Sequence, residues 1–258
     1  MKKINFSVII IAKDEEEMIG ECLESVKWAD EIILLDGGST DKTLEIAKRY
    51  SQVKVVSQKV RKIDYGAWHN QGIKETQGRW IFYLDADERL TPESQEEIIS
   101  NIQYPISNIS AFAIPRRNVL LGKVMRFGGW YPDYQIRLFK KSHLEKWEGS
   151  LHERPSFKGE LGYLKRPMVH LTHRDLSSMV EKTRGRGFLE IESELLFKAG
   201  HPPVTWWRIL KVMVTEFWLR FIKYQAWRDG TVGWIEGLFQ VFNRFLIYAR
   251  LWELQKQR

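Results

Sequence analysis

The chain has 258 residues, 43% of them hydrophobic, with 8 Pro and 18 Gly. That is the composition of a folded protein, enough for one large α/β domain plus an appendage or for two small domains, and it excludes a disordered chain. The single cysteine, Cys22, excludes an internal disulfide framework and fits a reducing compartment, while the net charge of +7 points to an anionic partner.

Residues 1–7 lead into a strand rather than the apolar core of a signal peptide. The acids from Asp14 to Glu17 follow too soon for a cleavage site, so the expected location is cytoplasmic. The aliphatic run 6–12 predicts a first strand. Met18, Ile19, Cys22, Leu23 and Val26 then recur at helical spacing. A second strand over 32–35 ends at Asp36-Gly37-Gly38-Ser39-Thr40-Asp41. Leu44, Ile46 and Ala47 suggest a short helix, 53–56 a third strand, and 65–75 a further helix. Through Gly78 the chain enters 80–84, an apolar strand running straight into Asp85-Ala86-Asp87-Glu88. This β-α-β-α-β-α-β order, with right-handed crossovers, predicts a doubly wound sheet. Thr91-Pro92 then caps a helix to about residue 102, and 111–114 is another strand, followed by Arg116-Arg117. Residues 128–173 are aromatic, charged and aperiodic, which suits either a substrate lobe or an irregular structural one.

A strand buried on both faces has no use for Asp85 and Asp87, because an unpaired buried carboxylate is very costly. They belong beyond its carboxyl end, where open α/β sheets bind ligands. Two carboxylates one residue apart can hold a divalent cation, and the cation a diphosphate; an acidic turn is the alternative. Asp36 could accept hydrogen bonds from a base or ribose, or simply close a tight turn with Asp41 as the next helix cap. Strand ends in register at Ala12, Asp36 and Asp85 favour a nucleotide pocket.

Ser7-Val8-Ile9-Ile10 with Lys13-Asp14-Glu15-Glu16, then Leu35-Asp36-Gly37-Gly38-Ser39-Thr40-Asp41, Asn70-Gln71-Gly72 with Gly78, and Leu84-Asp85-Ala86-Asp87-Glu88 together resemble the family-2 glycosyltransferases. That resemblance implies a GT-A fold, a Rossmann-like and mostly parallel sheet with flanking helices. It also implies a UDP-sugar donor, Mg²⁺ or Mn²⁺, and inversion at the sugar carbon. Two positions depart from the family pattern: Gly37, where a second Asp or a Ser is common, and His69, where Arg is common. Trp130-Tyr131-Pro132-Asp133-Tyr134-Gln135-Ile136-Arg137-Leu138-Phe139 and Gly149-Ser150-Leu151-His152-Glu153 are similar to the lipopolysaccharide core branch that adds β-1,4-glucose to heptose. Carried over, Asp36 contacts uracil or ribose, with Ala12, Asp14, Glu16 and Ala86 lining the nucleotide-sugar site. Asp87 is the main metal ligand, and Asp85 touches ribose or metal-bound water. Glu153 is the first choice for the base and Asp133 the second; the alternative for Glu153 is a surface acid paired with Arg154. One of His170 and His173 could join the metal or a phosphate, as in some related folds, His173 being the ligand expected; the alternative is that both are satisfied structural histidines. Arg116, Arg117, Arg137 and the stretch from Lys182 to Arg186 could hold diphosphate or an anionic acceptor, or face solvent.

From His201 onward, nine Lys and Arg face four acids, a net +5, and six of the eleven Trp lie there. Charges interrupt every apolar run before the ~18 to 20 residues that a spanning helix needs. Amphipathic helices of this kind suit the surface of an anionic inner membrane; a helical dimer interface or packing on the catalytic domain is the competing reading. The expected organisation is a catalytic domain over 1–200, with a nucleotide-sugar half (1–103) and an acceptor half (104–200), and a helical extension over 201–258. The expected activity is transfer of glucose from a UDP-sugar to a lipid-linked glycan such as lipopolysaccharide inner core. Transfer to polyprenyl phosphate and a catalytically silent nucleotide-binding module stand as alternatives; a nucleic-acid binder does not fit so apolar a tail.

Overall fold

The computed structural model describes residues 5–57, 65–149, 153–184 and 188–257. Ser150, Leu151, His152 and Arg186, which the sequence reading singled out, lie outside the described residues.

Strand β1 (Phe6–Ala12) leads to α1 (Ile19–Val26), β2 (Glu31–Asp36), α2 (Thr43–Ala47), β3 (Val53–Ser57), α3 (Tyr65–Glu75) and β4 (Trp80–Asp85). These strands form a parallel layer in the order β3-β2-β1-β4. Period-2 alternation divides their side chains between two cores. Ile10, Ile32, Leu34 and Phe82 face one side with Ile19, Cys22, Leu23 and Val26 of α1. Ile9, Ile33, Leu35 and Tyr83 face the other with Trp68, Phe139 and Trp147. Burying each of the larger aliphatic side chains contributes about 1.5 to 3 kcal/mol.

The chain continues through β5 (Glu88–Arg89), α4 (Pro92–Gln103), β6 (Ile109–Leu120), β7 (Lys123–Val124), β8 (Tyr134–Lys140), β9 (Leu144–Glu148), β10 (Arg154–Phe157), β11 (Glu160–Tyr163) and β12 (Met168–Leu171). Thr91 caps α4 by accepting from Ser94 N. Beyond β4 the sheet becomes mixed: β8 lies antiparallel between β4 and β6. The aperiodic segment is therefore largely short strands, and β9 pairs with β10 as a separate ribbon. Asn70 holds this ribbon to α3. Its Nδ2 donates to Trp147 O at 2.9 Å, and its Oδ1 accepts from Trp147 N at 2.8 Å, across 77 residues.

Two compact units result, Met1–Arg117 with Asp133–His170, and Asn118–Pro132 with Leu171–Arg258. The second contains α5 (Leu176–Arg184), α6 (Phe188–Lys198), α7 (Trp206–Phe217), a π-helical turn (Trp218–Lys223) and α8 (Gly230–Lys256). Because α8 packs on both α6 and α7, residues 171–200 group with the C-terminal helices, where the sequence reading had assigned them to the acceptor half. Asp229, buried before α8, accepts from the main-chain N–H groups of Arg126 and Phe127. No described helix is long and apolar enough to cross a membrane.

Candidate active site

The register of the parallel layer aligns three strand ends. Ala12 pairs with Asp36, and Ile11, its neighbour on β1, pairs with Asp85. At the β2 end, Asp36 is buried and accepts from Gly38 N at 3.1 Å and Ser39 N at 3.0 Å. The loop after β1 is fastened to the same turn. Asp14, at φ 54°, accepts from Thr40 N at 2.7 Å, and Glu16 accepts from Lys42 N at 3.0 Å. Ala12 O accepts from Gly37 N. A Cβ on Gly37 would lie 2.6 Å from the Trp68 ring, so this departure from the family pattern makes room for a tryptophan.

At the β4 end a chain of ion pairs runs Asp85–Arg137–Glu88–Arg116–Asp133. Arg137 binds Asp85 and donates to Glu88 Oε1 at 3.0 Å. Arg116 lies 3.3 Å from the same Glu88 oxygen and grips Asp133. Glu88 is fully buried, and its other oxygen accepts from Asp85 N at 3.0 Å. Burial works against the charge on Asp85, but the Arg137 guanidinium overrides it and holds the carboxyl below the usual carboxylate range. Arg137 is raised in turn: burial opposes its charge, and Asp85 and Glu88 more than restore it. Arg116 and Arg137 are thus bound to internal carboxylates, neither facing solvent nor left open for a diphosphate. Arg137 Nε remains buried without an acceptor among the described residues. Ala86, between the two aspartates, is buried, and its carbonyl accepts from Arg89.

Asp87 lies 3.6 Å from His170 Nε2, and both side chains are largely shielded. His173, the ligand expected from sequence, pairs instead with Glu236 in the second unit, Nδ1 to Oε2 at 3.1 Å. Strand register places His170, and not His173, beside Asp87. His170 on β12 pairs with Glu88 on β5, one residue beyond Asp87. Among the described residues no three His, Cys, Asp or Glu side chains are grouped to hold an ion. Asp87 and His170 nonetheless fit a divalent cation that takes its remaining ligands from phosphate oxygens and water, as Mg²⁺ commonly does.

Glu153 stands 3.9 Å from His69 Nδ1. His69 is buried, stacked on Trp147 and edge-on to Tyr83. Burial pushes its imidazole down to about 4 despite the pull of Asp85, so it is neutral near pH 7. Its Nδ1 is 2.8 Å from Tyr65 O and donates there, since a carbonyl only accepts.

The family model for glycosyl transferase family 2 matches residues 7–157, which include the strand ends, the aspartates and Glu153. This chain belongs to that family. The glycosyltransferase is 24% identical to the lipopolysaccharide core biosynthesis glycosyltransferase LpsC of Rhizobium meliloti, over 97% of this chain and 93% of the relative. It is 28% identical to an uncharacterized glycosyltransferase of Rickettsia bellii, over 99% and 88%. Among solved structures it resembles S. aureus TarS 1–349 in complex with UDP-GlcNAc, with TM-score 0.51 and 14% identity, covering 98% of this chain and 92% of that one. The enzyme therefore has the GT-A fold that its motifs imply. Glu88 stood inside a quoted motif but drew no role from sequence. Its burial against two arginines follows from contacts 28 and 49 residues away, which no local pattern records.

Proposed function

We propose that this glycosyltransferase moves glucose from UDP-glucose to a hydroxyl of a lipid-linked glycan, such as lipopolysaccharide inner core, with inversion and with Mg²⁺ or Mn²⁺. The observation that carries the reading is the alignment of Ala12, Asp36 and Asp85 at one end of the parallel layer, with Asp87 beside His170. The donor class is supported by the fold shared with TarS, solved with UDP-GlcNAc, and the acceptor class by the near full-length likeness to LpsC.

Asp36 and the turn it closes receive the nucleoside, with Asp14 and Glu16 bracing that turn from the loop after β1. Asp87 and His170 would hold the cation, which when bound offsets charge on the departing diphosphate. Asp85, kept ionised by Arg137, accepts from a ribose hydroxyl or from water on the cation. Glu153 Oε takes the proton of the acceptor hydroxyl as that oxygen attacks the sugar carbon from the face opposite the leaving group. His69, uncharged beside it, brings no positive charge of its own to the Glu153 carboxylate. Incubation with UDP-glucose and purified core lipopolysaccharide, with and without EDTA, tests the proposal. Labelled glucose should enter the glycolipid only with metal present. Transfer to polyprenyl phosphate alone, or no sugar release from any UDP-sugar, would overturn it.

A further inference from the structure

The second unit carries an apolar face that its own fold leaves uncovered. On α7 and the turn that follows it, Trp206, Trp207, Leu210, Val214, Phe217 and Trp218 recur at helical spacing, and all are exposed, Trp206 by 75% and Val214 by 58%. A run of tilted ring contacts ties this face to α8. Phe217 lies 4.7 Å from Phe221, and Phe221 lies 4.5 Å from Trp234, which is itself half exposed. Monomeric proteins seldom leave so many large rings together in water.

The charges on the same surface identify the partner. Between residues 205 and 228 the one acid is Glu216, and it is buried between Arg220 and Arg244. Asp229 is consumed by the N–H groups of Arg126 and Phe127, and Glu236 by His173 and Gln240. Arg208, Lys211, Lys223 and Arg228 are exposed around the rings, and Arg228 covers the face of Phe127. Within residues 205–236 folding has thus buried or paired the negative groups and left the positive ones beside indoles; Glu190 and Glu253, outside that stretch, are exposed and paired with Arg250. A second copy of this face would meet it with like charge. An anionic surface with an apolar interior complements both features at once.

We propose that the α7 face is a docking surface for an anionic lipid bilayer, with its tryptophans in the headgroup layer and Arg208, Lys211, Lys223 and Arg228 on the lipid phosphates. This deepens the reading of a lipid-linked acceptor, and its test needs no turnover, so the two can fail separately.

The experiment is flotation of the full chain with vesicles of phosphatidylcholine alone or mixed with phosphatidylglycerol, at low and high salt. Wild type should float with the mixed vesicles and much more weakly with phosphatidylcholine alone, and high salt should weaken binding to the mixed vesicles without abolishing it, because ring burial is not screened. Arg208→Glu with Lys211→Glu should reduce binding about thirtyfold or more. Trp207→Ala with Trp218→Ala should leave low-salt binding detectable and remove the salt-resistant part. Circular dichroism confirms that each variant is folded, and since all four side chains are exposed, unfolding is not expected. Wild type that ignores mixed vesicles at low salt would overturn the proposal. So would variants that bind normally while sedimentation equilibrium shows them changed from dimer to monomer, which would make the face an interface between copies.

Discussion

Arg116 fastens Asp133 through a single oxygen: its Nε lies 2.8 Å and a terminal nitrogen 2.7 Å from Asp133 Oδ2. Gln135 donates to the other oxygen at 2.7 Å. A carboxylate held by a guanidinium on one oxygen and an amide on the other is a poor proton acceptor, because protonation would forfeit charge-assisted bonds. Glu153 has a neutral imidazole for its neighbour instead. Glu153→Gln should therefore lower turnover by roughly 10²-fold or more with donor affinity kept, as expected on losing a general base. Asp133→Asn should lower the melting temperature, since it strips charge from the partner of Arg116, while turnover stays within about tenfold. A normal Glu153 variant beside a dead Asp133 variant would reverse the assignment.

Asp87→Ala should abolish transfer and weaken UDP binding in the presence of Mn²⁺, as read by titration calorimetry, with far-UV circular dichroism unchanged. His170→Ala should weaken the same binding less, because the carboxylate carries the charge that a hard cation needs. In EDTA all three proteins should bind UDP alike. A metal-dependent gain in affinity that survives in Asp87→Ala would remove this aspartate from the metal site.

The parallel layer was legible because β1, β2 and β4, buried on both sides, leave unbroken apolar runs in the sequence, and the edge strand β3 still carries three valines. The cores confirm it: Ile9 and Ile10 alternate between two clusters as a strand requires. The antiparallel side was not legible. Strands such as β5 and β7 have two residues each, too few for any period, and the register of β12 on β5 is a tertiary fact. That register separates His170 from His173, which stand three residues apart in the same short segment. Arg116 and Arg137 show the same limit. Their sequence neighbourhoods suit an anion site as well as an internal ion pair, and only the buried position of Glu88 decides.

Gly37 is constrained by packing. A Cβ there would sit 2.6 Å from one Trp68 ring carbon and 3.2 Å from another, and Trp68 is buried in the core shared with Tyr83 and Trp147. The buried indole would have to shift against its neighbours, so Gly37→Ala should destabilise the protein by about 1 to 3 kcal/mol, the usual cost of overpacking. Gly37→Ser should behave alike although Ser is common there in the family. Pairing either change with Trp68→Leu should return part of the stability. Denaturant midpoints at constant m-value measure this, and an undiminished midpoint for Gly37→Ala would show that the turn moves freely.

His69 should make stability depend on pH in the acid range. Its imidazole sits at about 4 in the folded protein, lowered chiefly by burial, against about 6.5 in the unfolded chain. Between those values the unfolded state binds the extra proton, so stability is fully present above about pH 6.5 and is lost as the pH falls toward 4. A gap of that size corresponds to about 3 kcal/mol between the two ends of the window. His69→Gln cannot take up the proton. At pH 7 it should cost stability through imperfect packing against Trp147 and Tyr83, yet its unfolding free energy should fall much less than that of wild type between pH 6.5 and 4.5. Asp85 also lies below its ordinary range, but a lowered carboxyl releases its contribution below about pH 4, outside most of that interval. Urea denaturation of both proteins across the window separates the cases. Parallel pH profiles would mean that His69 is not the group responsible, and that the neutral neighbour assigned to Glu153 needs another explanation.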